Sequence, residues 1–578
     1  MPEGLTRALV ALTVLVVTAT TWPVLLGGQT APTARPLQAP AWFVDVAGST
    51  GVAFHHVNGA SASRYLPEIM SGGGLFLDYD NDGWLDVFLV DGGSLADPAT
   101  AARAHHRLFH NKGNGTFEDV SAASGIAHRG YGMGACAADY DNDGFIDLFV
   151  TALGGNTLYH NEHGSTFTDV TKAAGVGTAT FPSSCAFGDV DRDGNVDLFV
   201  VNYVDARLDN NVFCGNAAKQ IRDYCHPLNF KPLSNSLYRN NGNGTFTDVS
   251  RESGVGALRG NGLGVVIADY DDDGWPDIFV ANDTTPNFLL HNTGKGTFTD
   301  AALAAGVSVA ADGKPRAGMG TDFGDVDGDG DLDLFVTNHE LESHTLFRNM
   351  GKGLFSDVTD EAGLTRPTLP FVGFGTVFFD FDNDGDLDIG TVNGHVIDHP
   401  ELVRPGARAA QRKLLFANDG RGHMREIGGQ AGPGFAGERV GRTLVTGDID
   451  NDGDLDLLIS NNGADAQVLR NELGPGTTAI TLTLVGVKSN RSATGARIRV
   501  TAGNRLFVRE VKAGSSYQGQ NDLRQHIGLG GAARADRVEI RWPSGTTETL
   551  TAVAAGQRIT VTEGKGITAR QPYVVNGR

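Results

Sequence analysis

From about Ala41 onward the apolar residues come in short runs, and five of these read VFLV, LFVT, LFVV, IFVA and LFVT. Branched and aromatic side chains at that density suit a pleated surface, so each run predicts a β-strand. The same polar phrase precedes every one of them. It reads DYDNDGFID from Asp139 and opens at Asp78, Asp139, Asp189, Asp269, Asp325, Asp380 and Asp448. Ahead of the phrase the chain is crowded with small residues, as in SGGGLFLDYD and GNGLGVVIADYD. Such strands fit where backbones converge and side-chain volume must be small.

A second phrase, aromatic-x-Asp-Val, alternates with the first. It occurs at Phe43, Phe117, Phe167, Phe246, Phe298 and Phe355, with a degraded MREI at Met424. Most copies follow an Asn/Gly turn such as HNKGNGTF, which supplies the positive φ of a tight hairpin. Successive aspartate phrases lie 61, 50, 80, 56, 55 and 68 residues apart. A unit near the shortest of these gaps accommodates four short strands and their connections. The first aromatic phrase precedes the first aspartate phrase, and none follows the last. The N-terminal strand can therefore complete the final repeat and close a ring without exposed sheet edges. Residues 41–473 are thus expected to form an all-β, seven-bladed β-propeller. An open solenoid would need capping units that the sequence does not contain.

The aspartate phrase has a direct chemical reading. A hard divalent cation takes six to eight oxygens, and a tight loop can aim side chains 1, 3, 5 and 9 and the carbonyl of position 7 at one point. Glycine at position 6 permits the sharp turn. Position 7 holds Trp84, Phe145, Asn195, Trp275, Asp331, Asp386 and Asp454, the variation expected where only the backbone oxygen is used. The expected ligands are Asp78, Asp80, Asp82 and Asp86; Asp139, Asp141, Asp143 and Asp147; Asp189, Asp191, Asp193 and Asp197; Asp269, Asp271, Asp273 and Asp277; Asp325, Asp327, Asp329 and Asp333; Asp380, Asp382, Asp384 and Asp388; and Asp448, Asp450, Asp452 and Asp456. The helix-loop-helix calcium loop shares the first nine positions, but its Glu at position 12 is missing here and strands follow. About seven structural Ca²⁺ sites are expected.

Charge supports that reading. The chain has 578 residues and a formal charge of −22, and the four ligand positions of the seven loops hold 28 of its 68 acidic residues. Seven Ca²⁺ would bring the balance to about −8, so much of the acidity is ligand charge. No basic stripe exists to neutralise phosphates, which argues against a nucleic-acid partner. Arg7 is followed by the apolar run ALVALTVLVV and then the Pro-rich APTARPLQAP. Residues 1–28 read as a secretory signal peptide and 29–40 as a linker. Read on through Trp22 to Leu26, the run approaches the length of a retained membrane anchor, and only then would a membrane be a partner. Millimolar calcium outside the cell suits export.

Cys214 and Cys225 flank a segment that interrupts the repeat, and a disulfide there would fix a loop without its own core. Cys136 and Cys185 lie three and four residues before their loops. In strands these offsets face opposite ways, so two buried free thiols fit at least as well as a second bridge. The histidines, among them His55, His56, His105, His106, His339, His344, His395 and His399, are not spaced as a zinc motif. His395 in NGHV stands out because a glycine precedes it.

After Gly474, TAITLTLVGV, ARIRVTAG, RLFVREVKAG, DRVEIRWPSG and QRITVTEG alternate apolar and polar positions between Gly or Pro breaks. This predicts a small antiparallel β-domain over 474–565 and a disordered tail over 566–578. The repeats resemble the FG-GAP or VCBS calcium-binding propeller repeats, also seen in integrin α-chain heads. SNRSATGARIRV, GSSYQGQ, HIGLG and WPSG are similar to the ASPIC/UnbV domain. NGHV at Asn393 and CHP at Cys225 resemble bacterial relatives of cartilage acidic protein. The resemblance implies a calcium-stiffened propeller and transfers no catalytic residue. The leading expectation is an exported or cell-surface module that binds an extracellular protein or glycan and is not an enzyme. The alternative is a propeller enzyme, a polysaccharide lyase or hydrolase, working at the channel mouth.

Overall fold

The computed structural model describes residues 42–126, 130–178, 180–474 and 478–574; the expected signal segment and linker lie outside them. The chain is all-β, with only one-turn helices between strands. Each aspartate loop joins the first two strands of a four-stranded antiparallel unit. In the unit around Asp269 the strands are Gly262–Ala268, Asp277–Asn282, Phe288–Asn292 and Phe298–Asp300, paired in that order. The small-residue strand comes first, the run after the loop second, and the aromatic phrase is the outermost strand. The last unit takes its fourth strand from the other end of the chain. Phe43–Asp45 pairs antiparallel with Gln467–Asn471, Phe43 opposite Asn471 and Asp45 opposite Leu469.

The first strands converge, and their glycines show how closely. A Cβ on Gly264 would lie 2.2 Å from the Met319 carbonyl oxygen, one on Gly320 2.1 Å from that of Phe374, and one on Gly375 2.3 Å from the Leu444 nitrogen. In each case the obstacle is backbone of the next unit, so no side chain can move aside. Between units the core is apolar. Val266, Phe279 and Leu289 pack with Phe323, Leu334 and Phe347 of the following unit.

Cys136 and Cys185 are bonded, with Cα atoms 5.8 Å apart, which corrects the free-thiol expectation. The offsets do place them on opposite sheet faces. They sit on neighbouring units stacked face to face, however, so opposite faces are the ones that meet. Cys214 and Cys225 are bonded as expected, across the hairpin of Cys214–Asn216 and Ile221–Asp223.

Beyond residue 478 two four-stranded sheets enclose a separate core that includes Ile480, Ile498, Val538 and Trp542. The antiparallel expectation holds for the sheet of Arg505–Glu510, Arg497–Ala502, Arg534–Arg541 and Thr547–Ala554. It fails in the other, where Ala479–Val485 runs parallel to Gln557–Thr562. Alternation along a strand marks its buried face and says nothing of its neighbour's direction. The tail expectation also fails. Gly566–Pro572 is a strand paired with Gln557–Thr562, and Tyr573 beyond it is buried; residues 575–578 lie outside the described residues.

Between these sheets' strands the chain leaves its own domain. Residues 513–521 run into the space where the first strands converge. The Phe187 amide donates to the Ala513 carbonyl at 2.8 Å, and Ser516 and Thr321 exchange amide-to-carbonyl bonds at 2.8 and 3.0 Å. Gly519 and Gln520 pair in parallel with Gly74 and Leu75. The Thr376 amide donates to Ser516 Oγ, the Gln518 amide to Ser184 Oγ, and Thr443 Oγ1 to the Tyr517 carbonyl. Ser516, Tyr517 and Gln518 have no solvent exposure. The channel is stoppered by the C-terminal part of the same chain.

Candidate metal centres and the opposite face

Each aspartate loop is folded by its own carboxylates. The first Asp accepts from the glycine amide at position 6, as Asp139 does from Gly144 at 2.8 Å and Asp380 from Gly385 at 2.9 Å. The third Asp accepts from the amide of position 7, as in Phe145 to Asp143 at 2.9 Å. The fourth begins the second strand and is buried; Asp147 Oδ2 accepts from the Tyr140 amide at 3.1 Å. Position 4 is also left-handed, at Asn81, Asn142, Arg192, Asp272, Asn383 and Asn451. Two positive-φ residues in three turn each loop tightly enough for positions 1, 3 and 9 to converge.

Oxygens of Asp78, Asp80 and Asp86 lie within 4.8 Å of one another, as do those of Asp139, Asp141 and Asp147. Several are buried with no hydrogen-bond donor, among them Oδ1 of Asp78, Asp191, Asp271, Asp327, Asp380 and Asp382. Burial drives the carboxyls upward, Asp78, Asp189 and Asp325 to about 7 and Asp380 to about 8, with neighbouring aspartates adding to the shift in each. Converging buried carboxylates that lack donors fit a hard cation, the ligand type their oxygens demand.

Two neighbours of the loops were not legible as such in the sequence. The asparagine in each turn phrase read only as a turn former, yet it is a tie. The Asn240 amide donates to Asp197 Oδ1 at 2.8 Å, while its Nδ2 donates to the Val196 carbonyl and to the Tyr140 carbonyl of the preceding unit. Asn161, Asn292, Asn349, Asn418 and Asn471 make the same cross-unit bond. Asn111 reaches Ile449 at 2.8 Å and so joins the first loop to the last. The signal was the invariance of Asn within one chain, where any turn former would have served. Replacing Asn349 by Ala orphans the Tyr270 and Leu332 carbonyls; at about 1–3 kcal/mol per unsatisfied group the variant should unfold several degrees lower in a thermal melt. The residue before each Asn differs between units. His110, His160 and His291 stand 3.2–3.3 Å from the fourth Asp of their loops, and Arg348 Nε is 3.1 Å from Asp327 Oδ2.

The C-terminal domain covers the loop end. Arg541 Nη2 is 2.5 Å from Asp269 Oδ2, Arg499 pairs with Asp272, and Arg505 with Asp386. Arg524 donates to the Asp448 carbonyl, and the Gly528 amide to Asp380 Oδ2 at 3.1 Å. Basic side chains of one domain thus meet the acidic loops of the other.

The opposite end of the channel is built by the connections between second and third strands. Tyr203, Asp283, His339 and His395 follow the second strands Asp197–Asn202, Asp277–Asn282, Asp333–Val336 and Asp388–Asn393. With Leu66–Met70 and the disulfide-closed segment they line a cavity of about 300 Å³. His339 and His395 stack edge to face with centroids 5.4 Å apart. His395 Nδ1 accepts from the Ile397 amide at 3.2 Å, fixing its loop, and its Nε2 is 3.5 Å from Glu340 Oε1. Burial pushes the His395 imidazole down to about 4. His226 of the disulfide-closed segment lines the same cavity, whereas His56 bonds Ser71 and His344 accepts from the Asn338 amide.

The sequence matches the family described as "FG-GAP-like repeat" over 78–150, 139–200, 230–280, 269–336 and 325–391, "FG-GAP repeat" over 440–481, and "ASPIC and UnbV" over 486–568. The chain is an FG-GAP repeat protein with an ASPIC and UnbV domain. It is homologous to cartilage acidic protein 1, being 31% identical to the Homo sapiens protein over 325 residues and 28% to the Xenopus tropicalis protein over 320. These alignments cover 55% and 54% of this chain and 46% of each relative, so the chain spans about half their length. Among solved structures, a lectin from Burkholderia pseudomallei aligns over 69% of this chain and 95% of its own, at 11% identity and a TM-score of 0.42. A rhamnogalacturonan lyase from Bacillus licheniformis aligns over 69% and 72%, at 12% identity and a TM-score of 0.34. The FG-GAP matches fall on the aspartate-loop units and the ASPIC and UnbV match on the sheets that cap them.

Proposed function

We propose that the FG-GAP units are the seven blades of a closed propeller, that their loops hold structural Ca²⁺, and that the exported protein is a binding module for an extracellular protein or glycan. The observation that carries this is the asymmetry of the two ends. The ASPIC and UnbV domain fills the channel and covers the loop end, enclosing a cavity of about 430 Å³ against Asp78 and Asp139, while the cavity at the other end is framed only by long connections of the repeat units. Ions bound at the covered end would stiffen the blades and touch no ligand. Two disulfides fit an oxidising compartment, and among the described residues no helix is long and apolar enough to cross a membrane. Pull-down from extracellular material and a glycan array, both with the intact chain in calcium, should give a saturable ligand. Capture that is no greater than that of a calcium-stripped, unfolded control would end this reading.

The enzyme reading keeps one supporting observation, since His339, His395 and the 202–232 segment converge on a single cavity where they had been free to diverge. A lyase is the weaker form of it. No Lys or Arg lines the cavity to neutralise an acidic sugar. Release of reducing ends from neutral polysaccharides, absent in a Asp283→Asn variant, would favour hydrolysis over mere binding.

A further inference from the structure

The cavity opposite the aspartate loops has a chemistry of its own. Its walls are aliphatic and aromatic, including Ile69, Met319, Phe374 and Val396. Its polar groups are unbalanced in charge: Asp283, Glu340 and Glu342 line it, and no Lys or Arg does. Arg404 pairs with Glu340 through Nε and Nη2, leaving that carboxylate satisfied. Glu342 accepts the Ala317 amide at 2.8 Å with Oε2, and Asp283 accepts the Tyr203 hydroxyl at 2.5 Å. Neither has a cationic side chain within salt-bridge distance among the described residues. Of the three lining imidazoles, burial holds His395 and His226 below the ordinary histidine range, so these two do not supply the missing charge.

Three ligand classes can be separated on these facts. An anion would face carboxylates, and the nearest cations are already engaged, Arg404 by Glu340 and Arg442 by the Ile69, Gly394 and His395 carbonyls. A transition metal would want imidazole lone pairs at Nε2. His395 and His226 instead accept backbone amides at Nδ1, from Ile397 at 3.2 Å and Leu228 at 3.3 Å, which puts the ring proton of each on Nε2; His339, whose Nδ1 faces the Glu340 carbonyl at 3.3 Å, alone keeps an Nε2 lone pair, a single imidazole ligand. A cation with an apolar body meets both requirements, its charge set among the carboxylates and its stem against the walls. Hydrophobic residues at the mouth extend the apolar surface. Val403 is 77% exposed, and beside the lining residue Pro227 Leu228 is 64% exposed.

We propose that this cavity binds an amine or guanidinium carried on an aliphatic stem, with Glu342 as the counter-charge and Asp283, bonded to Tyr203, as a second acceptor. The group can belong to a free small molecule or to a lysine or arginine side chain of a protein. The site deepens the binding-module reading and rests on it. Isothermal titration of the intact, calcium-loaded chain with agmatine, N-acetyl-lysine methylamide and its neutral norleucine counterpart tests the chemistry. The two cations should bind and the neutral analogue should bind at least tenfold more weakly. Glu342→Gln should cost the cations at least tenfold and leave the thermal melt unchanged, since its neighbour Ala317 can still donate to the amide oxygen. A lysine-bearing peptide binding where the free amines do not would place the source in a protein partner; the reverse would place it in a metabolite. Equal binding of the neutral analogue, no binding of any cation, or cation binding indifferent to Glu342→Gln would overturn the proposal. A partner captured in pull-down with undiminished affinity by the Glu342→Gln chain would overturn this site while leaving the binding-module reading standing.

Discussion

Chelating divalent cations from the intact chain should lower its unfolding temperature by more than ten degrees, and Ca²⁺ should restore it where equimolar Mg²⁺ does not. A ligand that binds only the folded state contributes RT ln(1 + [L]/Kd), about 2.7 kcal/mol per site at a hundredfold excess. The asparagine ties couple each loop to the preceding unit, so loss at one site propagates. Mg²⁺ demands a smaller octahedral shell than these open carboxylate clusters present. The pH dependence should reverse sign between the two forms. Without cation, burial raises Asp78 and Asp189 to about 7 and Asp380 to about 8, above the ordinary aspartate value of 3.8. The folded state then binds more protons than the unfolded one across that window. Stability of the stripped protein should therefore rise as pH falls from about 8 toward 4. In saturating calcium, protons compete with the ion, and the same acidification should destabilise. Asp141→Ala should weaken one site and lower the calcium-loaded melt. Scanning calorimetry at several pH values, with and without chelator, reads all of this; curves identical in chelator and calcium would show that the loops are not metal sites.

Much of the architecture was legible because it repeats. Asp at four fixed positions and Gly at a fifth specify a turn, an ion type and the start of a strand together, and the offset of Phe43 from Asp78 foretold which strand completes the last unit. What repetition hides is contact between copies. Asn240 looks like any turn asparagine until Tyr140 of the neighbouring unit is placed beside it. Cys136 and Cys185 were read against a single sheet, whereas the distance that matters crosses two. The cavity residues were harder still, because Tyr203, Asp283, His339 and His395 occupy nearly the same place in different units and share no repeated motif. Only the NGHV phrase and the cysteine-bearing interruption marked that end of the molecule.

The segment 513–521 was the least legible feature of all, since GSSYQGQ resembles an ordinary loop, and it leads to the second large effect. Backbone bonds tie the C-terminal domain to the repeat units through this segment. Phe187, Thr321 and Ala135 use backbone groups to bond this segment, and removing it would strand them in a channel with no other partner. Each buried unsatisfied group costs about 1–3 kcal/mol. The Tyr517 ring fills the space among Met133, Leu263, Met319 and Phe374, and its hydroxyl donates to the Met70 carbonyl at 2.7 Å. Arg541 and Arg524 would be lost from the acidic loops as well. The chain truncated after Leu473 should therefore fail to give a cooperative melt even in calcium, and the intact protein should unfold in a single transition. Tyr517→Ala, which empties the plug without removing the domain, should cost about 3–5 kcal/mol, the range for deleting a buried aromatic ring. Its partner readout is hydrogen exchange at Thr321 and Phe187, which should accelerate together. A truncated chain that melts as the intact one does, or two resolved transitions in the intact protein, would mean that the stopper is only an ornament on an independent ring.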